Sequence, residues 1–241
     1  MSDVWLYGRA VNFELTDRPM GHSFSTQQIL DLEAVLSPPR FGTYLREMKG
    51  DRHHAMGLYC WNTYISAAFY TILQFCELSV RNGAVEVIES VFGPNWHLNR
   101  GFGYTFPVLR GGRGYQPRDD LKTCAARLPT AGKVVAELKY AFWQHLFVKG
   151  QQARIWDPHL ASVFPGYDTT LTLGQARAQL FDDIEKVRKL RNRIAHHEPI
   201  FTRNLAEDRD RILRLIAWRR PGTAGWVATI EEVSALIASR P

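Results

Sequence analysis

The segment RNRIAHHEPIF, residues 191–201, gathers side chains that can act together: Arg191, Asn192 and His196, followed by His197 and Glu198. Histidine exchanges a proton near neutral pH. Arginine grips a phosphate with two parallel N–H donors and offsets the charge that develops on it. Asparagine can orient either partner. The set suits cleavage of an RNA phosphodiester by its own 2′-hydroxyl, a reaction that needs no metal ion.

A helix must hold these groups. On a helical projection with Leu180 as origin, Ile184, Val187, Leu190 and Ile194 fall between roughly −80° and 40° and form one apolar stripe. Arg191 falls at roughly 20°, inside that stripe, where an unpaired charge is costly to desolvate. The position calls for an anion, either a buried carboxylate or a bound phosphate. Asn192 and His196 are four apart and share a face, but His196 lies roughly 140° round from Arg191. A second copy of the helix, supplied by a dimer, brings more of these groups into one cleft. The plainer alternative is the polar end of an ordinary helix, with arginine complementing the dipole. Spacing alone favours that alternative.

The periodicity predicts this helix from about Thr172 to His197, ending because Glu198 precedes Pro199. Residues 24–47 predict a small helical hairpin broken at Pro38 and Pro39. Residues 52–91 hold no proline and predict one very long helix or two in tandem. Residues 92–130, dense in Gly, Pro and aromatics, form the main irregular segment. Helical spacing returns at 131–148, is mixed over 151–170, and resumes in RNLAEDRDRILRLIAWRR. After a break at Pro221 and Gly222, TIEEVSALIAS predicts a last short helix. No run alternates with period two. The expected fold is all-α, one domain over residues 1–241, with residues 1–50 a separable N-terminal helical extension.

With 241 residues and 45% hydrophobic content, the chain can bury a substantial core. Lys plus Arg exceed Asp plus Glu by 30 to 24, which leaves room for a polyanionic partner such as RNA. Cys60, Cys76 and Cys124 form no metal-type pairs and are read as reduced thiols. MSDVWLYGRA has no signal-peptide pattern, and no apolar run approaches the roughly 20 residues that span a bilayer. A cytoplasmic protein without a membrane partner is expected, and no cofactor is called for.

The string KLRNRIAHHEPIF resembles the signature of the HEPN superfamily, an R-x4–6-H motif in which Asn commonly follows Arg. More narrowly, the chain is similar to Abi-like (abortive infection) bacterial HEPN proteins through LSPPRFGTYL, LYCWNTYISAAFYTILQFCELSVRNGAVEVI, FGPNWH, VVAELKYAFWQHLF, ARIWDPHL and RILRLIAW. The resemblance covers most of residues 24–220. It implies a HEPN-type helical bundle with additional N-terminal helices, forming a homodimer in which two motif helices face each other. It also implies a metal-independent endoribonuclease toxin or effector of phage defence or of a toxin–antitoxin system, with an antitoxin protein or non-coding RNA as further partner. Carried over, Arg191 holds the scissile phosphate, Asn192 orients it and His196 is the acid/base group or stabilises the leaving group. His197 and Glu198 match the string without an assigned role. The alternative is a non-catalytic HEPN module that binds a structured RNA or a partner protein.

Glu77, Arg81 and Asn82 also match the Abi-like pattern. Glu77 and Arg81 are suitably spaced for a local ion pair, and Glu77 is equally a candidate for the anion that Arg191 requires. In the irregular segment, Arg100, Arg110, Arg113 and Arg118 alternate with Phe102, Tyr104, Phe106 and Tyr115. Single-stranded RNA is held by such combinations, though a loop anchored by its aromatics, with solvated arginines, explains the composition slightly better. His53-His54 and His196-His197 lack the spacing of a zinc site. Trp61, Trp143, Trp156 and Trp218 are read as packing residues. No P-loop or nucleophile-elbow pattern occurs.

Overall fold

A computed structural model describes residues 24–107 and 114–241. Arg110, Arg113 and the first part of the expected N-terminal extension lie outside the described residues. Every regular element among the described residues is helical, and none is a strand. None of these helices is long and apolar enough to cross a membrane.

The chain divides into two compact units, residues 24–65 with 238–241, and residues 66–237. In the first, α1 (Thr26–Leu36) and α2 (Pro38–Glu47) form the expected hairpin. Ser25 caps α1 through a capping box with Gln28. The break falls on Ser37, at φ 68°, and Pro38 opens α2 at a position where its missing N–H has no intrahelical partner to lose. One unbroken helix, α3 (Arg52–Phe92), occupies the stretch for which one or two helices were expected. It gives its first turns to this unit, and the remainder belongs to the larger one.

The larger unit departs from the sequence reading in three places. The irregular segment carries a 3₁₀ turn (Trp96–Leu98), α4 (Arg100–Tyr104) and α5 (Pro117–Arg127). Its aromatics are the reason: Trp96, Phe102 and Phe106 are buried and meet edge to face, at 5.5 Å for Trp96–Phe102 and 5.4 Å for Phe102–Phe106. The helix expected over 131–148 is two, α6 (Ala131–Glu137) and α7 (Tyr140–His145), separated by extended backbone at Leu138 (ψ 131°) and Lys139 (ψ 150°). α6 packs on α5 and the 3₁₀ turn, while α7 also reaches the helix Leu173–Ala195, so the apolar faces of the two halves are buried only if the axis turns. Pro221 and Gly222 begin a helix, α11 (Pro221–Ile230), and the residues expected as one final helix are shared between it and α12 (Val233–Ala238).

The remaining elements are a 3₁₀ turn (Lys149–Gln151), a π-helical turn (Gln152–Trp156), α8 (Asp157–Val163), α9 (Leu173–Ala195) and α10 (Leu205–Arg219). α9 is the central element, packed against α7, α8 and α10. Its stripe of Leu180, Ile184, Val187, Leu190 and Ile194 is buried as the periodicity predicts. Trp61, Trp143, Trp156 and Trp218 are all buried.

Candidate functional site

α9 begins at a capping box formed by Thr172 and Gln175. It ends two residues before the expected His197. His196 is the C-cap, and His197 follows at φ 55°, in the left-handed region usually taken by glycine. The His197 N–H donates to the Ile194 carbonyl at 3.0 Å and the Glu198 N–H to the Arg193 carbonyl at 2.8 Å. This paired closure ends the helix before Pro199 can. Arg193 fixes the turn, donating to the Pro199 carbonyl at 2.7 Å and lying 3.6 Å from the Glu198 carboxylate. Glu198 therefore belongs to the turn. Ile200 and Phe201, buried directly after it, oblige the chain to bend back into the core.

Arg191 lies at the rim of the buried stripe, its side chain 38% exposed, where the ideal projection put it in the middle. The neighbours that bury α9 leave a gap there, and the gap is a cleft of about 470 Å³. Glu77 of α3 occupies its floor, 16% exposed, and accepts from Arg191 Nε at 3.2 Å. The local Glu77–Arg81 contact is longer, at 3.8 Å. The carboxylate is thus shared between two arginines, with Arg191 the closer.

Arg81, Tyr115 and Asn192 line the same cleft, together with Lys139, Tyr140 and Arg188, which the sequence reading missed. Lys139 and Tyr140 enter because the chain turns between α6 and α7. No glycine or proline marks that turn, so no local signal reveals it. Arg188 sits one turn before Arg191 and Asn192 and is braced by Glu185 at 2.8 Å and Gln144 at 3.0 Å. Four cations, Arg81, Lys139, Arg188 and Arg191, face two carboxylates, Glu77 and Glu137. Glu137 is itself paired with Arg127 at 2.6 Å.

Two buried donors in the wall have no acceptor among the described residues: Arg81 Nε and Tyr140 Oη. Burial pushes the Tyr140 hydroxyl well above its ordinary pKa, so it stays a neutral O–H. The neighbouring Cys76 thiol is a weak acceptor and does not satisfy it. Burial, followed by the adjacent Asp120 carboxylate, likewise raises the pKa of Tyr115, whose hydroxyl donates to Asp120. Unpaired buried donors are uncommon in folded proteins because each carries a desolvation penalty.

His196 is exposed and is not among the residues lining the cleft, so one chain gathers Arg191 and Asn192 without it. No family model, curated protein or solved structure matches the chain. Among the described residues, no group of three or more His, Cys, Asp or Glu side chains is placed to hold a metal ion.

Of the aromatic and arginine positions in the former irregular segment, Phe102 and Phe106 are core residues and unavailable for stacking. Arg100 and Tyr104 are exposed, on α4.

Proposed function

We propose that the protein is a metal-independent endoribonuclease of the Abi-like HEPN type, acting in phage defence or a toxin–antitoxin pair. The observation that carries this reading is the Arg191 cleft, in which an excess of cations and two unsatisfied buried donors converge where the motif residues Arg191 and Asn192 emerge. That chemistry is complementary to a phosphodiester. Arg191 and Arg81 bind the scissile phosphate, Asn192 and Tyr140 donate to its oxygens, and His196 exchanges the proton. The 2′-hydroxyl attacks the adjacent phosphorus and loses its proton, the bond to O5′ breaks, and O5′ takes up a proton. The products are a 2′,3′-cyclic phosphate and a 5′-hydroxyl.

The position of His196 supports an active homodimer, in which the imidazole of one copy serves the cleft of the other. Incubation with RNA in excess EDTA should yield fragments with 2′,3′-cyclic phosphate ends. Intact RNA across structured and single-stranded substrates would instead support a binding module. Mixing inactive Arg191→Ala and His196→Ala chains should restore part of the activity, since one mixed dimer site then holds both residues. No recovery on mixing would point to sites complete within each chain.

Glu77→Gln removes the charge that holds Arg191 while keeping the shape of the side chain. We expect cleavage to fall by up to about 10²-fold, the scale set by misplacement of a catalytic group. RNA binding should be retained or strengthened, because the phosphate no longer displaces a carboxylate. Unchanged single-turnover cleavage would remove Glu77 from the site.

A further inference from the structure

A second cleft, of about 430 Å³, lies between α5 on one side and the Trp96–Leu98 turn with α4 on the other. Its α5 wall is one helical face: Arg118, Leu121, Lys122 and Ala125 follow the i, i+3, i+4, i+7 spacing. The opposite wall contributes His97, Arg100 and Tyr104. Three cations line the cleft and no carboxylate does. Arg100, Arg118 and Lys122 make no ion pair with another described residue, whereas most of the described arginines are tied to an acid. Such uncompensated charge favours an anion.

Two further features define what that anion carries. Arg118 Cζ lies 4.1 Å above the centre of the Tyr104 ring, and Tyr104 is 63% exposed. The guanidinium and phenol together present flat surfaces of the kind on which an unpaired base stacks. His97 lines the cleft at 7% exposure, and its Nδ1 is buried without a hydrogen-bond partner. The volume is in the range of small-ligand sites, roughly 300–1,000 Å³.

We propose that this cleft binds one nucleotide unit of single-stranded RNA, its phosphate held by Arg100, Arg118 and Lys122 and its base stacked against Tyr104 and Arg118. The site deepens the ribonuclease reading, on which it rests for RNA as the ligand, by adding a substrate subsite beyond the scissile phosphate. α5 connects the two clefts. Tyr115, just before this helix, lines the Arg191 cleft, and Arg118, three residues on, lines the second. Three residues span at most about 10 Å, so a strand leaving one cleft has a short path to the other. A free nucleotide offers the same phosphate and base, and the test separates the two sources.

The test titrates a short, fluorescently labelled 2′-O-methyl oligonucleotide, which cannot be cleaved through its 2′-position, and separately labelled AMP, both in EDTA. Arg118→Gln combined with Lys122→Gln should weaken oligonucleotide binding about tenfold or more. It should also reduce the slope of log affinity against log salt by up to about 0.7, the value for the single phosphate that these cations hold. Tyr104→Ala, an exposed change that leaves the charge untouched, should weaken binding about five-fold or more through lost stacking without altering that slope. Loss of AMP binding in the same variants would identify a free nucleotide as a ligand, and AMP that never binds would restrict the site to strands. Folded variants with unchanged affinity for both probes overturn the proposal. Because the oligonucleotide is not cut, this outcome is independent of whether Arg191 and His196 perform catalysis.

Discussion

RNA cleavage by the His196→Ala protein should fall by about 10²- to 10⁴-fold, the range contributed by a positioned general acid or base. The variant separates chemistry from folding well. The imidazole is exposed, and the bonds that end α9 at this residue are made by its backbone, which alanine retains. Stability should therefore change by no more than about 0.5 kcal/mol, as for surface substitutions generally. Arg191→Ala is less clean, since it also removes the nearer partner of the Glu77 carboxylate. Product analysis with wild type and His196→Ala at equal protein concentration measures the effect. Equal rates would end the assignment of acid/base chemistry to the motif histidine.

The largest stability effect should come from Asp183→Ala. Asp183 lies on the buried side of α9 and accepts from Arg214 Nε and Nη2 of α10, both at 2.9 Å. Arg211 Nε is 3.7 Å from the same carboxylate, and the Arg211 side chain is only 8% exposed. Arg211 continues the network to Asp208, which accepts from Arg203 at 2.7 Å and 2.8 Å. Burial lowers the Arg211 pKa, opposed mainly by Asp183, and Glu207 and Asp208 pair with the same guanidinium. Removing one partner of a buried pair typically costs about 3–5 kcal/mol, because the other charge remains desolvated. For a chain of this size that corresponds to a melting temperature lower by about 10 °C. Thermal unfolding of Asp183→Ala beside Asp183→Asn measures it. A shift of a degree or less would mean that water replaces the carboxylate.

The helices that carry the site were legible in the sequence because their periodicity is long. α9 shows its apolar stripe over several turns, and Thr172 with Gln175 marks its start. Its end was read from Pro199 and placed two residues late, because a histidine in the left-handed cap position is not the usual signal. The need of Arg191 for an anion could be read from the stripe, and Glu77 was a named candidate. Lys139 and Tyr140 could not be found in the same way: they meet the motif only after the chain turns at Leu138 and α7 docks on α9, a tertiary outcome with no breaker residue to announce it. Arg188, one turn before Arg191 on the same helix, was within reach of helical spacing and was overlooked. Phe102 and Phe106 were read more nearly right: a loop anchored by its aromatics with solvated arginines was the favoured reading, and burial of their aromatic area leaves Arg100 and Tyr104 outside.

The contact between Glu77 and Arg191 bears on selectivity. In the absence of RNA the carboxylate occupies the arginine, so any incoming anion must match an interaction already formed. A lone inorganic phosphate gains little by the exchange. A polymer that engages the Arg191 cleft and the α5 face together recovers the loss through its second attachment, since the local concentration of the tethered phosphate is high. On the proposed function, the carboxylate is a resident competitor that sets a threshold on ligand length, holding the arginine against small anions and yielding it to a strand.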